Sequence, residues 1–101
     1  MDFNLKNTFI NELPGDQETD NTRRQVDEAC YSFVNPTKTE SPELVHYSKE
    51  VAEFLGLSES DCQSAGFLKT FTGNEIIENS KPYAMCYGGH QFGHWAGQLG
   101  D

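Results

Sequence analysis

The sequence predicts an α+β fold, with two helices at about 42–55 and 59–71 and a few short strands. Three observations predict it. Residues 41–56 carry helix start and stop signals around an apolar stripe. ACYSFV at 29–34 is a short run of aromatic and β-branched residues. The last twenty residues, PYAMCYGGHQFGHWAGQLGD, hold five of the nine glycines and no charged side chain before Asp101. That much glycine suits close backbone approach and strand pairing better than helix.

From the N-terminus, Phe3, Leu5, Phe9, Ile10 and Leu13 suggest a short element docking on a core. Residues 14–28, PGDQETDNTRRQVDE, contain one apolar side chain apart from the proline and read as an exposed loop with nothing to bury. ACYSFV, stopped by Asn35-Pro36, reads as a strand. The helix at 42–55 has Ser41 as N-cap, Pro42 at the first helical position and Glu43 in the first turn. Leu44, Tyr47 or Ser48, Val51, Ala52 and Leu55 form its stripe, and Gly56 its stop. Ser58 or Ser60 caps the second helix, with Ser60 and Gln63 in capping-box spacing and Gly73-Asn74 at its end. Ile76-Ile77 and residues 83–87 are two further candidate strands, separated by a turn-like 78–82.

The chain of 101 residues suffices for one domain, able to bury roughly two thirds of its unfolded surface. Hydrophobic content is 36%, or about 45% with glycine counted, enough for a modest core. A net charge of −9, from seven bases and sixteen acids, argues against nucleic-acid binding by bulk electrostatics. The acids are divided evenly, eight in 1–40 and eight in 41–101, as on a solvated acidic surface rather than an interaction tail. Cys30, Cys62 and Cys86 form no CxxC pair and suit free thiols in a reducing compartment. No apolar run reaches the ~18 residues of a membrane span, and the N-terminus lacks signal-peptide character. The expectation is a soluble, cytoplasmic protein that binds neither membrane nor nucleic acid.

The C-terminal segment carries the candidate chemistry. Cys86, His90 and His94, spaced by four, would share one stripe of a helix and so could hold a metal, but Gly88-Gly89 interrupts the helix. Gln91 also stands where a metalloprotease motif needs glutamate, so no metal ligand is assigned. Gly89, Gly93 and Gly97 have a spacing that permits close helix packing, best supported in membranes. Residues 97–101, GQLGD, are like the opening of a phosphate-cradling loop, but on the residues alone a plain β-turn between strands is the favoured reading. Tyr83, Tyr87, Phe92 and Trp95 could stack on a base or fill a compact core among the glycines. No GxSxG elbow supports a hydrolase triad.

The run YAMCYGGHQFGHWAGQLGD at 83–101 resembles the signature of the selenoprotein O family, called YdiU in bacteria. Leu13-Pro14, Ala29-Cys30-Tyr31-Ser32, Asn35-Pro36, Ser41-Pro42-Glu43-Leu44, residues 48–52 (SKEVA) and Leu55-Gly56-Leu57 fall in the order that family uses near its N-terminus. The resemblance spans essentially the whole chain. It implies the N-terminal part of a protein-kinase-like fold, in a family that moves AMP from ATP to Ser, Thr or Tyr hydroxyls of proteins. ATP is bound there in a flipped orientation with a divalent metal, Mg²⁺ or Mn²⁺. In the family pattern the signature continues with Gly-Arg, and the glycines and arginine of that turn contact the phosphates. Carried over, Gly100 is the nucleotide contact and Asp101 shapes the turn beside it. His94 stands at a variable position, which further weakens a metal role.

The family's lysine with its glutamate partner, its catalytic aspartate and its metal-binding Asn and Asp have no counterparts here, so no residue is assigned a catalytic role. The sequence also shows no Lys or Arg near its glycine loop. Adenylyl transfer needs positioned charges on the polyphosphate. The expectation is therefore an inactive N-terminal fragment of an adenylyltransferase, whose partners are ATP, protein substrates and the rest of the parent chain. The alternative is a free-standing protein-interaction module docking through the Gly/aromatic segment. An open reading frame continuing with Gly-Arg would favour the first, and a stop codon the second. As a fragment, 88–101 would be disordered or packed against the helices.

Overall fold

The computed structural model describes residues 1–100, as a small α+β arrangement of seven elements. In chain order they are α1 (Thr8–Glu12), β1 (Tyr31–Phe33), α2 (Lys49–Phe54), α3 (Glu59–Cys62), α4 (Ala65–Phe71), β2 (Tyr83–Gln91) and β3 (His94–Gly100). They fall into two compact units, Met1–Leu5 with Pro36–Ser80, and Lys6–Asn35 with Lys81 onward.

The first unit is helical and short-elemented. The expected helix over 42–55 contracts to α2, because Ser48 rather than Ser41 caps it. The Ser48 hydroxyl accepts from the Val51 N–H at 3.3 Å, whereas Ser41 sits at φ 46°. The stripe fails at its start: Leu44 is exposed and Val45 is 96% exposed, and of its early residues only Tyr47 packs on the core. Short helices depend on such packing. Gly56, at φ 77°, is the stop the sequence indicates. The Gly56 N–H donates to the Glu53 carbonyl at 3.0 Å and the Leu57 N–H to that of Ala52 at 2.9 Å, the paired bonds of a Schellman cap.

The expected helix over 59–71 is two helices. Ser64 divides them, donating its hydroxyl to the Asp61 carbonyl at 2.6 Å and accepting the Phe67 N–H at 3.1 Å. The capping box joins Ser58 and Asp61, not Ser60 and Gln63. Gly73 and Asn74 close α4 with a second Schellman pair, on Thr70 and Lys69 at 3.2 and 2.8 Å. Ala52, Leu57, Cys62 and Phe67 form the core of this unit, with Phe3 and Tyr47 packed on it. Ile76-Ile77 makes no strand and leads into a turn closed by the Ser80 N–H on the Ile77 carbonyl.

The second unit is an antiparallel sheet in the order β1-β2-β3. β1 is the core of the expected 29–34 strand, and β2 runs four residues beyond Tyr87. Residues 88–100, expected to be disordered or packed on helices, instead form an antiparallel hairpin with Cys86 and Tyr87. Phe92 and Gly93 form its two-residue turn, both at positive φ (51° and 82°), the requirement of a type I′ hairpin. Gly97, at φ 80°, lies where the register shifts and Ala96 has no partner of its own. The four-residue glycine spacing thus serves a turn and a bulge, not helix packing.

Against the sheet lies an aromatic cluster. Tyr31 is buried, donates its hydroxyl to the Ile10 carbonyl at 2.8 Å, and has the Phe33, Tyr83 and Phe9 rings at 5.3, 5.6 and 6.1 Å. Tyr83 stacks on Phe9 at 5.3 Å, so it fills a core here.

Candidate functional site

Residues 14–28 contain no helix or strand, yet several of them are tied to the sheet. The Asp16 N–H donates to the Tyr31 carbonyl at 2.9 Å. The Asp16 carboxylate accepts from the Ser32 hydroxyl at 2.7 Å and forms an ion pair with Arg24. Those contacts hold its pKa below the ordinary value, led by the Ser32 hydroxyl, then the Glu18 N–H; burial opposes them, and Arg24 adds smaller contributions in their favour. Further along, the Gln98 side-chain amide bonds both backbone groups of Val26, accepting from its N–H and donating to its carbonyl, each at 2.7 Å. An amide carries a donor group and an acceptor on separate atoms, so one side chain meets both backbone groups at once.

Loop and sheet together enclose an open cleft of about 420 Å³. Ser32, Ala84, Cys86, Gln98 and Gly100 line it from the sheet, and Asn21, Arg23 and Arg24 from the loop. The sequence reading found no cation near the glycine segment, and the structure corrects it. Fold-level closure of the 14–28 loop brings both arginines to the cleft that Gly100 lines. Arg24 is neutralised by Asp16. Arg23 makes no ion pair or hydrogen bond with another described residue.

Gly100 ends β3 opposite Cys86. A Cβ there would meet the Met85 carbonyl oxygen at 3.5 Å, an ordinary contact. Packing within this chain therefore does not require glycine at 100. Contrast Gly88, where a Cβ would meet Trp95 at 2.3 Å, and Gly89, where it would meet Leu99 at 2.5 Å. Asp101 lies outside the described residues.

The histidine and cysteine stripe is dissolved by the strands. Cys86 and His90 lie on β2, His94 follows the turn, and the His90 ring meets Trp95 edge-on at 5.2 Å. Among the described residues no three His, Cys, Asp or Glu side chains gather to hold a metal. The Cys86 thiol is pushed up in pKa, chiefly by burial, then by the Asp16 carboxylate and Cys30, with Arg24 opposing. Phe92 is fully exposed and Trp95 largely so. Sequence reasoning missed Asp16, Arg23, Arg24 and Gln98; the only signal was an adjacent arginine pair in a chain poor in bases.

By sequence this chain is similar to a class of nucleotidyltransferases. The family model for "Protein adenylyltransferase SelO" matches residues 17–101. The chain belongs to that family. Among its relatives, three proteins named "Protein nucleotidyltransferase YdiU" are similar over nearly all of it. That of Flavobacterium johnsoniae is 50% identical over 97 residues, covering 96% of this chain and 19% of the relative. That of Methylobacillus flagellatus is 55% identical over 95 residues, 94% of this chain and 18% of the relative. That of Azoarcus sp. is 56% identical, with the same coverages. The chain thus spans about a fifth of the length of these relatives.

Proposed function

We infer that this chain is the N-terminal portion of a protein adenylyltransferase with a kinase-like architecture, and forms the first edge of its nucleotide site. The observation that carries this is the cleft lined by both Arg23 and Gly100, where the described residues place no packing demand for glycine. Backbone at Gly100 would approach a phosphate closely, and the guanidinium would offset its charge. In the reaction, a Ser, Thr or Tyr hydroxyl of a protein substrate attacks the α-phosphorus of ATP. The new bond is O–P, the bond broken joins the α-phosphorus to its bridging oxygen, and pyrophosphate leaves while the hydroxyl proton passes to a base. A divalent metal, Mg²⁺ or Mn²⁺, supplies charge neutralisation in such reactions. In this reading the metal's ligands and the base come from other parts of the parent protein.

Residues 1–101 incubated with labelled ATP, Mg²⁺ or Mn²⁺ and an acceptor protein should transfer no AMP, and robust labelling would overturn that division of labour. In the parent protein, Gly100→Val should weaken ATP binding at least about tenfold, equivalent to about 1.4 kcal/mol. Unchanged binding would remove Gly100 from the site. The exposed Phe92 and Trp95 favour a second reading, a docking hairpin for a protein partner. Loss of partner capture in Phe92→Ala with intact ATP binding would support it.

A further inference from the structure

We propose that Cys30 and Cys86 are a covalent modification site, forming an intramolecular cross-strand disulfide by exchange with a small-molecule disulfide of the oxidised-glutathione class. The β1–β2 register runs Phe33↔Tyr83, Ser32↔Ala84, Tyr31↔Met85. One further step sets Cys30 opposite Cys86. The pairing does extend that far, because the Cys86 N–H donates to the Cys30 carbonyl at 2.9 Å.

Opposed residues of an antiparallel pair place their side chains on one face, with Cα atoms about 5.5 Å apart where a ladder bond joins them. Disulfides span Cα separations of roughly 4.4 to 6.8 Å. The second ladder bond is missing, since the Cys30 N–H donates to the Pro14 carbonyl at 2.8 Å, which leaves this end of the pairing room to adjust. The two sulfurs are close enough for Cys30 to contribute to the raised pKa of Cys86. Both thiols are free and half-buried, whereas Cys62 is 1% exposed within an apolar core and is no competitor.

The chemistry takes two exchanges. The Cys30 thiolate attacks one sulfur of the small disulfide, forming a mixed disulfide and releasing one small thiol. The Cys86 thiolate then attacks the Cys30 sulfur and releases the second. Two protein thiols lose two electrons and the small disulfide gains them, while the two protons pass to the released thiols. Cys86 suits the second step: its raised pKa makes it a poor first nucleophile, but proximity to the mixed disulfide offsets that. The cross-link would fasten β1 to β2 at the residue that both lines the cleft and pairs with Gly100.

The test is to treat the folded protein with oxidised glutathione at mildly alkaline pH, alkylate, and map peptides without reduction. The expected main product joins Cys30 to Cys86, lighter by two hydrogens, with free thiols falling from three to one at Cys62. Cys30→Ser should leave Cys86 uncross-linked. Separate glutathione adducts on the two cysteines, pairs involving Cys62, linked dimers, or three untouched thiols as the main product would each overturn the proposal. So would an equal preference for the Cys30–Cys86 pair in denaturant, where the fold directs nothing.

Discussion

Gly15 shows how much one missing Cβ can matter. It bridges to Tyr31, and a Cβ there would fall 2.5 Å from the buried ring. Tyr31 has little freedom to yield, with its hydroxyl on Ile10 and three rings around it. Gly15→Ala should therefore destabilise the protein by about 1–3 kcal/mol through overpacking. A fall in urea midpoint at constant slope checks this, and an unchanged midpoint contradicts it. Nothing in PGDQETDN marks that glycine as different from an ordinary loop residue. Its constraint comes from a tyrosine sixteen positions away in sequence, and the same holds for the placement of Arg23.

At the level of elements, the helix ends were written in the sequence more clearly than the helix lengths. Gly56 and Gly73-Asn74 stop helices as their chemistry dictates. Three serines, at 48, 58 and 64, cap helices; sequence reading took Ser41 where Ser48 caps, left Ser58 open beside Ser60 and passed over Ser64, because every one of them satisfies the local rule. Burial decides between them, and burial is tertiary. The Ser58–Asp61 box also sets an acid sensitivity. The Ser58 N–H, then its hydroxyl, hold the Asp61 carboxyl below its ordinary value of 3.8. A group depressed on folding contributes stability above its unfolded pKa, and that contribution is lost as pH falls through the folded value. Asp61→Asn should thus lower stability at neutral pH and show a shallower loss below about pH 4. Urea titrations across the acid range measure both effects, and an identical acid slope in the variant would exclude Asp61 as a source.

For the whole molecule, the balance of seven bases and sixteen acids makes a further expectation. The folded protein should pass through a heparin or DNA column at low salt and bind an anion exchanger, whereas retention on either polyanion would show that Arg23 and its neighbours act as a general basic patch. Family membership was legible because a long string of unusual residues carried it. The α+β class was legible too, from caps and from strand-like runs. The hairpin was not, since its turn uses Phe92 at φ 51°, a position where the sequence rules expect Asn, Asp or Gly. Gly100 could be singled out from the sequence, but the cleft it lines required the loop of 14–28 to fold over the sheet. Among the described residues no helix is long and apolar enough to cross a membrane.

The indole of Trp95 lies over Gly88, across the hairpin. It is also the only tryptophan of the chain. Its fluorescence emission is therefore a built-in optical signal for the glycine hairpin, and follows that strand pair through denaturation or ligand titration without any attached dye.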